Sequence, residues 1–322
     1  MLNKIGLSNI DNKDFFNPSK LNFYSSDNQK ICDLDFSRFN SEKFKYTTLK
    51  RSVLIEFLKN KLFSNNLRFG KEVKKISKIK EKLLINFKDN TNDLVDFIVV
   101  SDGVFSNTKS IVENKSILPT YNGSIAIRTI LKNLPESNYD KKSISLVMLK
   151  NAHIVIYPIN KKDEFNVVCI IRQKLSNNID LKALIKKEII SQNKNLENLF
   201  DNKLEYWPIY TSKKPSKSIY ENLFYIGDAF YTFPPTMAQG ASQSIEAANE
   251  LFNLLSKDNK HTPDLFFKKR LERTKVIDRR SKLNHHIFHF SNPILKTVRN
   301  KSLKIMLKNN IFLNNYIGKV YN

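Results

Sequence analysis

Glycine is scarce in this sequence: seven occur in 322 residues, where roughly 7% is usual. The nearest two, Gly227 and Gly240, are 13 positions apart, so no GxGxxG loop of the kind that cradles phosphates is present. Cysteine is rarer still. Cys32 and Cys169 stand alone, with no CxxC pair and no Cys/His cluster, which excludes a disulfide framework and a structural zinc site. No apolar run reaches the roughly 18 residues of a membrane span. The opening Met1-Leu-Asn-Lys-Ile-Gly-Leu-Ser-Asn-Ile10 also lacks the apolar core of a secretory signal. Acidic residues are outnumbered, 31 against 54 Lys+Arg, for a formal charge of +23. Lysine is abundant along the whole chain, so the excess reads first as a uniformly basic surface rather than a polyanion site. The expected compartment is reducing and cytoplasmic.

What is present supports a folded core. The chain is 41% hydrophobic and 11% aromatic, which excludes a disordered protein, and its length allows two ordinary domains. Leu21–Tyr24 and Ile31–Phe36 read as a hairpin around a Ser-Ser-Asp-Asn turn. Thr47–Leu62 reads as a helix with Leu49, Val53, Leu54, Phe57, Leu58 and Leu62 on one face. Val73–Ile79 and Leu83–Phe87 are strands, and Val95–Val100 is apolar enough to be a strand buried on both faces. Four further strands, Ser124–Leu131, Ser143–Leu149, His153–Ile159 and Asn166–Arg172, suit an antiparallel sheet. Residues 180–200 are helical. A short buried strand, Leu223–Ile226, precedes a helix near Met237–Leu255 whose core stripe is Ala241, Ile245, Ala248, Phe252 and Leu255. Thr262-Pro263 opens a second long helix, which Pro293 breaks. Strands before and after an inserted sheet imply a mixed α/β fold, a discontinuous α/β domain hosting a β-rich one.

Two segments carry chemistry. In the first, a buried strand ends in Asp102-Gly103, and Ser106 caps the helix that follows. Ligands of open α/β sheets sit beyond the carboxyl ends of strands, where helix N-termini present amides. In the second, another buried strand ends in Gly227-Asp228, followed by Pro234-Pro235 and by Gln239-Gly240 at the start of a small-residue helix. Gly227 permits close backbone approach. Asp228 offers an acceptor for hydroxyl groups, and the helix dipole faces any negative charge that develops.

Those residues resemble the flavin-dependent aromatic hydroxylases, which include the para-hydroxybenzoate, salicylate and ubiquinone-biosynthesis hydroxylases. Asp102-Gly103-x-x-Ser106-x-x-Lys109 resembles the family's DG motif, which touches both FAD and NAD(P)H, with Lys109 in place of its usual Arg. Gly227-Asp228-Ala229 resembles the GD motif, whose Asp contacts the ribityl chain of FAD. Pro235-x-x-Ala238-Gln239-Gly240 is similar to the loop beside the flavin ring, with Ala where Gly is usual. Arg51 resembles the Arg that opens the family's early helix. Tyr121–Arg128 resembles the first substrate-domain strand, on which Arg128 is a candidate for meeting an acidic substrate. The resemblance implies that Asp228, Gly227, Gln239, Gly240, Asp102, Gly103 and Arg51 bind the cofactor. It implies an incomplete Rossmann-like FAD-binding domain over residues 1–109 and 216–260, a substrate domain over 110–215, and basic C-terminal helices over 261–322.

Family members open with a strand, a GxGxxG loop and a helix. Here Met1–Leu7 resembles the end of that unit, so a start at least one βαβ unit late is expected. Two readings stay open. One is a monooxygenase, truncated as given, that uses NAD(P)H, FAD and molecular oxygen to hydroxylate an aromatic or quinone-precursor substrate through a flavin hydroperoxide. The other is a non-enzymatic remnant that no longer binds FAD. Epoxidation would share both motifs. The cofactor carries the chemistry, so neither a catalytic side chain nor a metal is expected, and the five histidines read as packing or surface residues. Nucleic-acid binding is not expected, because the aromatics sit in apolar strands rather than among the Lys/Arg. The C-terminus is a separate matter: Lys296, Arg299, Lys301, Lys304 and Lys308 interleave with Ile294, Leu295, Leu303, Ile305, Leu307 and Phe312. A basic amphipathic tail of this kind can rest on the inner membrane face, and a solvated helix in a lysine-rich protein gives the same pattern.

Overall fold

The computed structural model describes residues 2–41, 45–63, 67–135, 139–176, 178–257 and 261–318. The first third of the chain carries β1 (Phe15–Phe16), β2 (Lys20–Tyr24), β3 (Lys30–Asp35), β4 (Thr48–Leu49) and α1 (Arg51–Lys59). There follow β5 (Val73–Ile79), β6 (Lys82–Phe87), β7 (Asn92–Val95), β8 (Ile98–Val100) and α2 (Asn107–Val112). The middle holds β9 (Thr120–Lys132), β10 (Ile144–Met148), β11 (Ala152–Pro158), β12 (Glu164–Arg172), α3 (Leu181–Ile185) and β13 (Glu205–Thr211). The last part holds β14 (Leu223–Tyr225), α4 (Gly240–Leu255), α5 (Thr262–Phe288), α6 (Pro293–Met306) and α7 (Asn310–Leu313). No helix among the described residues is long and apolar enough to cross a membrane.

The chain divides into two compact units. One comprises residues 1–6, 61–122 and 210–284, the other residues 7–60, 123–209 and 285–322. The second is built on a seven-stranded sheet in the order β13-β9-β12-β11-β10-β2-β3. The four strands from β9 to β12 pair antiparallel, as their alternating residues imply. Register sets a cross-strand row of Val147, Ile154, Cys169 and Ile127, each wholly buried. Cys169 acts there as a small hydrophobe, its thiol pushed up by desolvation. The other face, with Leu146 opposite Phe23, packs on Phe288, Leu307 and Leu313. The β2–β3 hairpin forms as expected, but β2 joins β10 in parallel, so residues 20–35 share a sheet with β9 to β12 rather than with the strands of the first unit.

In the first unit β5, β6 and β7 form an antiparallel meander, and β8 pairs in parallel with β14. Ile76 and Leu83 of the meander pack with Val100, Tyr225 and Ile277. On the opposite face Phe224 packs with Ala247, Leu251 and Phe266. Val95–Val100 is not one strand buried on both faces. It is split at Asp96-Phe97, and Val99, opposite Phe224 in register, is 42% exposed, because β14 is the only strand paired with β8 among the described residues. Side chains on the Val99 face depend on helices for cover, and α4 and α5 pack on Phe224 and Ile226.

Three helix expectations shift. α1 starts at Arg51 rather than Thr47, since Thr48–Leu49 pairs with Phe15–Phe16 as β4. α4 buries Gln243, Ala247 and Leu251, while Phe252, expected inside, is 68% exposed. α5 ends at Phe288, and Pro293 opens α6 behind an Asn292 cap, a position where its missing N–H costs nothing. The sequence tail beyond Gly318 lies outside the described residues.

Candidate functional site

Parallel pairing places the two chemical motifs side by side. Leu223, Phe224 and Tyr225 stand opposite Ile98, Val99 and Val100, and the Ile226 amide donates to the Val100 carbonyl at 3.0 Å. Both strands therefore end at one level. Two residues beyond each ladder come the turns Asp102-Gly103 and Gly227-Asp228. Gly103 and Gly227 both take the left-handed region, at φ 89° and 57°, which glycine enters without steric cost.

Each turn is held by local chemistry. Ser106 Oγ accepts from the Lys109 amide at 3.1 Å and caps α2 as its spacing predicts. The Asp102 carboxylate accepts from the Thr108 amide at 3.2 Å, a second charge-stabilised contact at the same helix start. Gly227-Asp228-Ala229 forms one turn of 3₁₀ helix, and the Thr232 hydroxyl donates to the Asp228 carbonyl at 3.0 Å. Both Asp102 and Asp228 are exposed, so their carboxylates face solvent at the carboxyl ends of the strands.

Behind the Gly227 turn lies the start of α4. A Cβ on Gly227 would stand 2.6 Å from Ser244 Oγ, so a larger residue must displace that hydroxyl as well as adopt a left-handed φ. The loop Pro235-Thr236-Met237 ends in Ala238 at φ 50°, a left-handed residue where the related motif carries glycine. Gln239 and Gly240 then open α4. Gln239 is buried, and its Oε1 accepts from Gln243 Nε2 at 3.2 Å, so its side chain props the loop rather than facing solvent. Gly240 is exposed, with nothing within 4 Å of a Cβ.

Six of the seven expected cofactor residues, Asp102, Gly103, Gly227, Asp228, Gln239 and Gly240, thus fall in the first unit at adjoining turns. Arg51 is the exposed first residue of α1 in the second unit. Sequence reasoning missed three supports. Lys109 is buried, and its Nζ donates to the Ala229 carbonyl at 3.1 Å, with burial lowering its pKa. Arg270 is buried against Glu246 and the Gln243 Oε1, each at 2.8 Å. Gln243 itself joins both, and its spacing four residues after Gln239 was the available signal. Gly227, Gln243, Arg270 and Thr274 line a void of about 10 Å³, room for about one water, so the floor under the turn is packed. No group of three His, Cys, Asp or Glu among the described residues is arranged to hold a metal ion.

In the second unit Arg128 lies over the Trp207 ring, 5.2 Å from its centroid. The histidines His153, His285 and His289 are buried together, with His153 Nδ1 2.7 Å from His289 Nε2.

Comparison with known proteins agrees with this fold. The structure of HpxO from Klebsiella pneumoniae, complexed with FAD and uric acid, is similar at a TM-score of 0.84 and 15% identity, covering 99% of this chain and 84% of that one. A salicylate hydroxylase substrate complex is similar at 0.76 and 13%, covering 99% and 87%. The p-nitrophenol 4-monooxygenase PnpA of Pseudomonas putida is similar at 0.77 and 13%, covering 100% and 85%. At these identities the likeness establishes the fold. The family model for squalene epoxidase matches residues 95–315, a span that contains both strand-end turns and α4, and the chain belongs to that family of FAD-dependent monooxygenases.

Proposed function

We propose that this chain supplies the flavin-facing part of a monooxygenase that uses FAD and NAD(P)H and acts on an aromatic or quinone-precursor ring. The observation that carries the reading is the pair of acidic turns, Asp102-Gly103 and Gly227-Asp228, at the ends of two parallel strands beside the start of α4. The residues present fit one half of FAD. Carboxylates at Asp102 and Asp228 suit the hydroxyl groups of a ribityl chain, and glycine at 103 and 227 lets a planar ring system approach the backbone. The N-terminus of α4, which carries partial positive charge, starts beside the Gly227 turn. The diphosphate half finds no glycine loop within residues 1–322.

When bound, FAD supplies the redox chemistry and the activation of oxygen. The chain's own contribution is position and electrostatics. Asp228 and Asp102 orient by accepting hydrogen bonds from hydroxyl groups, the α4 N-terminus stabilises negative charge on a facing ring, and Lys109 holds the two turns in register. Arg128 over Trp207 is a candidate for an anionic substrate group. The aromatic ligands named for HpxO and salicylate hydroxylase support the substrate class. The squalene epoxidase match favours a second reading, epoxidation of an isoprenoid double bond.

The test is to add FAD to the purified chain, then NADH or NADPH, and follow the visible flavin absorbance with candidate substrates present. Bleaching by NAD(P)H and a product heavier by one oxygen atom support the enzyme, and the product separates ring hydroxylation from epoxidation. Failure to take up FAD both by this chain and by a form extended in frame upstream of Met1 identifies the non-enzymatic remnant.

A further inference from the structure

One buried cation joins α5 to the start of α4. Arg270 is 2% exposed. Its Nη2 donates to Gln243 Oε1 and its Nη1 to Glu246 Oε1, each at 2.8 Å, with Glu250 Oε2 3.4 Å away. A guanidinium has only donors, so the Gln243 atom that meets it is the oxygen. Gln243 Nε2 then donates to Glu246 Oε2 at 3.0 Å and to Gln239 Oε1 at 3.2 Å. Burial opposes ionisation of Glu246, but hydrogen bonds from Arg273 and Arg270 hold it below the usual carboxylate range. An ionised carboxylate only accepts, so Glu246 fixes the same amide polarity from the other side. Gln239 therefore enters this chain of amides with its oxygen, leaving Nε2 as the donor at the far end. The Gln243 amide also donates to the Gln239 carbonyl at 2.9 Å, so residue 239 is tied to α4 by backbone and side chain alike.

Gln239 lies between the left-handed Ala238 and Gly240, the first residue of α4. Arg270 and Gly240 line the same small void behind the Gly227 turn. Glu246 and Glu250 answer the charge of Arg270, so what passes along the chain is the orientation of the amides rather than bare charge. Were Gln243 free to turn over, Gln239 would turn with it and end the chain in an oxygen, which repels negative charge nearby. We propose that Arg270 is a positioning residue of the flavin site. Acting through Gln243, it holds Gln239 and the first turn of α4 with donors at the loop end, the polarity that suits a ring gaining negative charge on reduction. The inference rests on the flavin reading and adds to it a residue on α5, outside both strand-end turns.

Affinities for oxidised and reduced FAD, with the midpoint potential, test it on the full chain, or on the form extended in frame upstream of Met1 if only that form takes up FAD. Arg270→Met and Gln239→Met are each expected to weaken binding of reduced FAD about tenfold more than that of oxidised FAD, a fall of about 30 mV for a two-electron couple. The double variant falls no further than either single one, because Arg270 acts through Gln239. Arg270→Lys keeps the charge without the fork and falls between the parent and Arg270→Met. Arg273→Gln removes a partner of Glu246 but none of Gln243, so it leaves the potential unchanged even where it lowers stability. Urea midpoints of the Arg270 and Gln239 variants without FAD are expected to be non-additive too. Should Arg270→Met fail to fold, Arg270→Lys and its double with Gln239→Met carry the comparison. In a parent that binds FAD, an unchanged potential in the Arg270 variants, additive shifts in the double variant, or an equal shift in Arg273→Gln would overturn this proposal alone. A parent that takes up FAD in neither form overturns the flavin reading itself, and the proposal with it.

Discussion

Lys109 Nζ lies 3.1 Å from the carbonyl of Ala229, so a buried cation on α2 ties the turn after β8 to the turn after β14. The ammonium is desolvated, which lowers its pKa. Replacing Lys109 by Met removes the donor and strands that carbonyl. The expected loss is about 1–3 kcal/mol, read as a lower urea midpoint with unchanged slope, and Lys109→Arg retains more stability than Lys109→Met. A neutral result for Lys109→Met would mean that the β8–β14 ladder alone holds the turns.

Gly227→Ala meets two obstacles, a left-handed φ of 57° and Ser244 Oγ 2.6 Å from the new Cβ. Gly70 has a φ of 72° and nothing within 4 Å, so Gly70→Ala meets only the first. Gly227→Ala is expected to cost about 2–3 kcal/mol and Gly70→Ala about 1 kcal/mol. Adding Ser244→Ala to the Gly227 variant recovers part of the difference in a double-mutant cycle. Equal costs for the two glycines would show that contact with Ser244 does not matter.

Ala238 carries a backbone strain that glycine would relieve. At φ 50° a Cβ disfavours the conformation, while glycine adds disorder to the unfolded chain. The balance favours Ala238→Gly by about 0.5–1 kcal/mol, visible as a raised melting temperature.

Acid weakens the second unit through its buried histidines. Burial pushes His153 down to about 3 and His285 down to about 4, and lowers His289 as well; Arg172 and His286 disfavour protonation of His285 and His289 further, and His285 does so for His153. An unfolded imidazole takes a proton near pH 6.5, whereas these stay neutral in the native state. Below that pH the unfolded chain binds more protons, so stability falls as pH falls, through the window from about 6.5 to about 4. The slope is about 1.4 kcal/mol per pH unit for each histidine. Urea midpoints at stepped pH measure it. His153→Asn is expected to flatten the slope by about one third, and an unchanged slope would place the proton uptake elsewhere.

The strand-end turns were legible because their chemistry is local. Asp102-Gly103 and Gly227-Asp228 each follow an apolar strand, and Ser106 precedes its helix at capping distance, so a few neighbouring residues specify each feature. The α4 stripe was not. Ala241, Ile245, Ala248 and Phe252 keep helical spacing, yet the buried row is Gln243, Ala247 and Leu251. Sequence spacing could not register that Gly227 presses on Ser244 or that Arg270 draws Gln243 inward. The same limit applied to Val99: its apolar run implied cover on both faces, and cover depends on which strands and helices arrive.

By itself the sequence determined most of the element types, the two acidic turns, the absence of a glycine loop and the basic, aliphatic C-terminus, because propensity, capping and composition act over a few residues; it did not show β4 or β13. Tertiary structure decided that β2 joins β10, that β8 and β14 end level so that the turns adjoin, and that Arg270 and Arg299 are interior cations. Those outcomes depend on pairing and burial between segments up to more than a hundred residues apart, where the free energy of contact, not local preference, selects the arrangement.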